Sequence, residues 1–261
     1  MLVTTALNVP AQIRRYVDGA EWEPVAIGES RASVFRLRTR AGILFLKMGA
    51  ASQISGLRAE KERLEWLAGR VAVPEVIAFA MEDDGEFLLL SSLPGANGVE
   101  AGHVHPKEIT AGLAHALKRF HIQFVERCPF DQSVNAQVRR ARQRIAKGLV
   151  DESDFDDERI GWSAAEVLAQ VIASRPDHEA RVITHGDPCL PNVIFAGAEF
   201  AGFVDCGRAG VADPYQDLAL AARSITFNLG ASWVEGFFRE YGIAEPDERK
   251  LAFYRLLDEL F

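Results

Sequence analysis

Cysteine is scarce in this chain of 261 residues: three thiols, at positions 128, 189 and 206, an odd number in no metal-ligand or disulfide-framework spacing. This excludes a disulfide scaffold or a cysteine-built metal site and predicts reduced thiols packed as small residues in a reducing compartment. Long apolar runs are missing too, and the opening stretch MLVTTALNVPAQIRRYV places its arginines after the apolar part and has no cleavage-like site. Neither a membrane span nor a secretory leader is expected, and the cytoplasm is the expected location. Basic residues are in deficit, 29 against 37 acids for a net charge of −8. That argues against nucleic acid or an anionic membrane as the main ligand and favours a cationic one. Internal repeats and low-complexity tracts are absent, and no obligatory protein partner is indicated.

What is present is an ordinary globular composition, 48% hydrophobic, sufficient for one sizeable domain or two modest lobes. Residues 24–48 alternate in the manner of strands, with "PVAIG", "ASVFRLRT" and "ILFLKM" separated by turns. A helix follows, with Leu57, Leu64, Leu67 and Ala68 on one face. Strand character returns on either side of an Asp-Gly turn in "VIAFAMEDDGEFLLLSS", and "LPGANG" then breaks all periodicity. The boundary is placed there: an N-terminal lobe over 1–93 and a larger one over 94–261. Beyond it the spacing is helical, with Ile109, Leu113, Leu117, Phe120 and Phe124 in register, a second helix across "NAQVRRARQRIAKGLV" and a last one at "DERKLAFYRLLDELF". Residues 181–205 are the exception, three short strand-like runs of which the last two turn about Ala196, Gly197 and Ala198.

The chemistry concentrates in "THGDPCLPN". Pro188 and Pro191 exclude an ordinary helix, so Asp187 and Asn192 sit on a rigid loop. Folding 193–204 into a hairpin pairs position 192 roughly with 203 and brings Asn192 close to Asp205. An amide and a carboxylate suit a hard ion such as Mg²⁺, which takes its other ligands from water and phosphate. Asp187 is left to act as a base, and His185 reads as support for the loop.

"HGDPCLPN" with "DCG" at 205–207 resembles the H-R-D-x-x-x-x-N and D-F-G motifs of the kinase superfamily, with Gly186 in the arginine position. The resemblance implies an α+β, bilobal, protein-kinase-like fold: an antiparallel β-sheet lobe with one helix, then a mainly α-helical lobe. It asks the first lobe for a lysine and a glutamate. Periodicity supplies Lys47, on the strand face of Ile43 and Phe45, and Glu60, in the apolar stripe between Leu57 and Leu64. By the same resemblance "IGESRAS" covers the phosphates with Ser30 at its tip, and backbone groups from Ser91 to Leu93 hold the adenine of ATP or GTP.

No A-P-E segment follows "DCG", which disfavours a protein substrate. "ITHGDPCLPN", "FAGFVDCGR", the run "RAGVADPYQDLALAAR" and the terminal "AFYRLLDELF" resemble the aminoglycoside 3'-phosphotransferases over nearly the whole chain. Such substrates are polycationic sugars, and two acid clusters answer to them: "DESDFDDE", six carboxylates in eight residues, and the chain end. The resemblance assigns substrate contacts to Asp156, Asp157, Asp258, Glu259 and the terminal carboxylate of Phe261. Arg208 and Arg223 either line the site or pair with these acids. Asp217 reads as an N-cap or a brace. Ser224 departs from the family's usual acid and is expected to remove a carboxylate near the pocket. A kinase for choline, homoserine, a macrolide or a sugar, and a catalytically idle nucleotide-binding module, are the alternatives.

Overall fold

Within the described residues the alternation expected over 24–48 is realised as antiparallel strands in the structure, a computed structural model that describes residues 9–25, 32–50, 56–82, 85–123 and 125–261. Helix α1 (Ala11–Val17) precedes strands β1 (Glu21–Val25), β2 (Ser33–Thr39) and β3 (Gly42–Ala50), then come helix α2 (Leu57–Leu67) and strands β4 (Val76–Glu82) and β5 (Gly85–Ser91). The sheet order is β1-β2-β3-β5-β4, every neighbour antiparallel. Successive side chains point to opposite faces, so β5 buries Leu89 against Ile13 and Val17 of α1 while Leu88 and Leu90 join the core shared with α2. β5 lies between β3 and β4 and is covered on both faces, which explains why its sequence is a continuous apolar run. Helix α1 is additional to the single helix expected in this lobe. Ala68, expected on the buried face of α2, ends that helix and is exposed.

The second lobe continues with β6 (Ala96–Asn97), α3 (Gly98–Gly102), α4 (Pro106–His121), α5 (Val134–Ala146), α6 (Ala164–Ala173), β7 (Val182–Thr184), β8 (Val193–Ala196), β9 (Glu199–Phe203), β10 (Gly210–Ala212), α7 (Tyr215–Asn228), α8 (Val234–Tyr241) and α9 (Glu248–Asp258). Ile109, Leu113, Leu117 and Phe120 of α4 are all buried, as their spacing predicts; Phe124 lies outside the described residues. Phe120 packs edge-on against Phe203 of β9, ring centroids 5.3 Å apart, and so ties α4 to the hairpin β8–β9. A register shift between Ile194 and Phe195 adds a residue to β9, so the Val204 N–H donates to the Asn192 carbonyl at 2.9 Å. Position 192 therefore faces 204 rather than 203, a correction of one residue that leaves Asn192 next to the approach to Asp205.

Polar contacts join the lobes. The Arg63 Nε of α2 donates to Ala209 O at 2.7 Å, the Trp66 Nε1 to Arg127 O at 3.0 Å, and the Phe203 N–H to Ala72 O at 2.9 Å. Among the described residues no helix is long and apolar enough to cross a membrane.

Candidate active site

Lys47 projects from β3 into the cleft, where its ammonium lies 2.7 Å from Glu60 Oε1 and 3.2 Å from Asp205 Oδ1. Burial works against the charge, but the two carboxylates outweigh it and hold the ammonium above its usual range. Reciprocally, Lys47 holds the Asp205 carboxyl below the ordinary carboxylate value. The Glu60 carboxyl is pushed up by burial, with Lys47 opposing. Glu60 keeps its place because α2 is anchored: Glu86 of β5, itself buried, accepts the Arg58 N–H at 3.3 Å at a helix start whose own residue, Gly56, offers no side-chain cap.

Asp205 has φ 57° and ψ 52°, a left-handed conformation found in no other non-glycine residue among those described. Aspartate tolerates this region at modest cost, and the strain aims the carboxylate back at Lys47 instead of along the chain. The 3-10 turn Cys206–Arg208 follows directly and carries Arg208 toward the other half of the cleft.

Asp187 is held by its own loop. Asn192 Nδ2 donates to the Asp187 carboxylate at 3.0 Å and to its carbonyl at 3.1 Å, which leaves the Asn192 amide oxygen as an acceptor-type donor atom for a cation. His185 is fully buried; its Nδ1 accepts the Asp187 N–H at 3.2 Å and its Nε2 faces Val204 O at 3.0 Å, which fixes the tautomer with the proton on Nε2. Asp217, inside the first turn of α7, accepts the N–H groups of His185 and Gly186 at 2.7 and 2.8 Å and meets His121 Nε2 at 3.1 Å. It is a brace and not an N-cap, and three donors on one buried carboxylate make the loop stiff. Gly186 has φ +92°, and a Cβ there would lie 2.4 Å from Arg208 O. Glycine in place of the superfamily's arginine thus follows from the close approach of the two motifs.

An ionic chain leads away from this centre. Asp258, at the end of α9, receives Arg208 Nη1 at 2.7 Å and Arg223 Nη2 at 2.5 Å. Arg223 also stands 3.9 Å from Asp156, and Arg159 spans Asp156 at 3.4 Å and Glu259 at 3.1 Å. Cys189 links the two parts: burial raises its thiol pKa, and Asp187, Asp258 and Arg223 all act on it electrostatically. Arg144 donates to the Leu260 carbonyl at 2.8 Å and to the terminal carboxylate of Phe261 at 2.7 Å, so this acid too, assigned above to the substrate, already faces an arginine.

A sequence model of the phosphotransferase enzyme family matches residues 21–254. The chain belongs to that family. It is 35% identical over 263 residues to an aminoglycoside 3'-phosphotransferase of Streptomyces fradiae, covering 95% of this chain and 98% of the relative. The crystal structure of an aminoglycoside-3'-phosphotransferase of type VIII superposes with a TM-score of 0.87 at 37% identity, covering 95% of this chain and 96% of that one. A 3''-type aminoglycoside phosphotransferase from Streptomyces rimosus, solved with ADP and streptomycin, does so with a TM-score of 0.81 at 30% identity and the same coverages. The fold is the family's bilobal, kinase-like α+β arrangement.

The family frame orders the expected site residues. The structure brings together Lys47, Glu60 and Asp205 on one side and Asp187 with Asn192 on the other. Ser30 lies outside the described residues. Ser91 spends its N–H on Glu75 O and its Oγ on the Glu75 N–H, both at 2.9 Å. Asp156 reaches the ionic chain, whereas Asp157 is exposed. Asp258 is paired with Arg208 and Arg223, one of the two readings given for those arginines, and Glu259 is paired with Arg159; the two acids' side chains are 12% and 4% exposed. Ser224 is buried beneath the loop of residues 185–192 and accepts the Leu190 N–H at 2.9 Å, so the departure there alters a loop support and not a pocket wall. Cys206 is buried as expected of a small packed thiol, while Cys128 and Cys189 are half-buried.

Sequence reasoning missed Arg159, Glu86 and His121. Only Arg159 carries a local signal, a cation placed three residues after Asp156 in an otherwise acidic run.

Burial, with Asp156 next, pushes the Glu259 carboxyl up to about 7. A carboxyl raised above its unfolded value adds stability at low pH that is lost as the pH climbs through the folded value. The unfolding midpoint is therefore expected to fall between about pH 5 and about pH 7, and Glu259→Gln is expected to flatten that slope. Thermal melts of the two proteins across this range check it; parallel slopes would contradict the burial of Glu259.

Proposed function

We propose that the chain transfers the γ-phosphoryl group of ATP to the 3'-hydroxyl of aminoglycosides such as kanamycin and neomycin, and so confers resistance from the cytoplasm. The single observation that carries this reading is the Lys47–Glu60–Asp205 ion-pair chain tied, through the Val204 N–H bond to the Asn192 carbonyl, to an Asp187 locked by the Asn192 amide. Residues 1–93 serve nucleotide binding and residues 94–261 catalysis and acceptor binding. With the Ser91 N–H committed to Glu75, N–H donation to the base in the 91–93 stretch falls to residues 92 and 93. GTP meets the same phosphate-binding groups as ATP, and a nucleotide comparison decides between them.

Asp187 orients the acceptor hydroxyl and takes its proton as the oxygen attacks the γ-phosphorus and the bond from that phosphorus to the bridging oxygen breaks to release ADP; the Asn192 amide holds the carboxylate in the orientation that does this. Lys47 neutralises the phosphates, and Glu60 keeps the ammonium in place while the substrate is absent. Among the described residues no group of three His, Cys, Asp or Glu side chains is gathered for a metal. The pair Asn192 and Asp205 nevertheless fits Mg²⁺, which is commonly held by one or two protein oxygens plus water and phosphate. Bound there, Mg²⁺ would supply charge neutralisation for the phosphates. Catalysis is otherwise positioning and electrostatics supplied by the protein.

Drug-dependent ADP release from Mg²⁺-ATP and kanamycin tests the reading. A 3'-deoxy drug should give none; undiminished turnover of it moves the reaction to another hydroxyl, and inclusion of streptomycin covers the acceptor bound by the Streptomyces rimosus relative. No stimulation by any polyamine sugar would favour a different acceptor or an idle module.

Salt gives a further expectation. The run 151–158 is largely exposed, and its attraction for a polycation is screened over about 8 Å near 0.15 M salt. The value of kcat/KM for kanamycin should fall as ionic strength rises. A flat response would remove the acidic run from substrate capture.

A further inference from the structure

Three arginines, Arg159, Arg208 and Arg223, face Asp156, Asp258 and Glu259, so each of these acids has a cationic partner before any substrate arrives. Arg159 differs from the other two in where it comes from. Arg208 follows directly on the Asp205 turn, and Arg223 is fixed within α7, whereas Arg159 ends a 3-10 turn, Asp157–Arg159, in the acidic connection between α5 and α6. Its Nη1 lies between Asp156 Oδ2 and Glu259 Oε1, and its Nη2 lies 3.7 Å from the exposed Glu158. With the Glu259 side chain 4% exposed, the guanidinium takes the approach that an external ammonium would need.

We propose that Arg159 is a specificity-determining residue, an internal cation that takes the place of one substrate amine at Asp156 and Glu259. This rests on the aminoglycoside reading above. Its consequence is a preference within that class. An acceptor that places a hydroxyl or nothing near these two acids binds with Arg159 undisturbed. One that places an amine there competes with Arg159 for the same oxygens and meets a like charge. Removing the guanidinium leaves the buried Glu259 accepting the Asp156 N–H at 3.2 Å and Asp156 facing Arg223 at 3.9 Å, and a substrate amine can then take the place of the lost charge at both acids.

The test compares wild type with Arg159→Gln on kanamycin and on congeners in which single ring hydroxyls are replaced by amines. Drug-dependent ADP release gives kcat/KM for each, and binding to the nucleotide-free protein gives affinity independently. At one ring position the amine-to-hydroxyl preference is expected to rise about tenfold in Arg159→Gln, the scale of one charge-assisted hydrogen bond, through KM more than kcat. Binding of that amine congener should also become more salt-sensitive. Arg159→Lys keeps the charge without the two-sided reach and should move the preference the same way by a smaller factor. It also carries the test if the glutamine variant does not fold. An unchanged preference at every ring position, in whichever variants fold, would overturn the proposal and leave Arg159 as a pin between the loop and α9. A wild-type protein without drug-dependent turnover would sink the aminoglycoside reading itself; wild-type turnover with a fixed preference sinks only the role of Arg159.

Discussion

Asp187→Ala is expected to fold, to bind nucleotide and to lose about 10² to 10⁴ in turnover, the contribution of a positioned base. The loop should survive because its stiffness lies elsewhere. Asp217 holds the backbone N–H groups of His185 and Gly186, Ser224 holds that of Leu190, and the Asn192 amide still has the carbonyl of residue 187 to donate to. The loss should therefore appear in kcat and not in the KM for ATP, because the phosphate-binding groups, Lys47 among them, are untouched. Asp187→Asn sharpens the prediction: it keeps the shape of the side chain and removes its basicity, and should be nearly as slow as the alanine variant. Rapid-quench or steady-state ADP assays on both variants, with melting midpoints to confirm folding, provide the check. Turnover near wild type in either would remove Asp187 from its role.

Lys47→Met is expected to cost stability and activity separately. The Lys47 and Glu60 side chains are 12% and 5% exposed, so removing the ammonium strands a carboxylate in the interior. Breaking a buried pair from one side typically costs about 3–5 kcal/mol, reduced here because Glu60 can take up a proton whose binding burial already favours. Asp205 loses the neighbour that holds its carboxyl low. Adding Glu60→Leu to Lys47→Met should recover most of the stability, since an apolar pair of similar volume avoids the desolvation penalty, and should recover none of the turnover. Denaturant titration with parallel kinetics separates the two effects. A double variant as unstable as the single one would mean that the pair is not an interacting unit.

Local patterns carried well into three dimensions wherever burial follows a short period. Strands β2 to β5, the buried face of α4 and the inward placement of Glu60 and Lys47 were legible because each is decided by neighbours two to four positions away. Helix α1 was harder to read: it spans seven residues and buries only Ile13 and Val17. The hairpin turn was visible, but the extra residue in β9 was not, since a bulge depends on packing between strands and not on the turn itself.

Charge pairing was the least legible feature. Asp258 and its arginines are 50 and 35 positions apart, and Glu259 and Arg159 are 100 apart. A sequence shows the acids and some candidate cations but not the pairing the fold selects, so pairing of Arg208 and Arg223 with the end of α9 stays one of two readings there and Arg159 is not singled out. Ser224 misled for a similar reason. Its neighbour Arg223 faces the cleft, but one position along α7 rotates a side chain by about 100°, and residue 224 points under the loop.

The proposed function turns on one acceptor oxygen beside Asp187, and the product reports on that oxygen directly. Wild-type protein incubated with Mg²⁺-ATP and kanamycin, followed by phosphorus–proton correlation NMR of the purified drug, should place a single new phosphate on the 3' oxygen. A drug recovered without phosphate, or bearing it on a different oxygen, would contradict the proposed alignment of Asp187, Lys47 and the acceptor pocket.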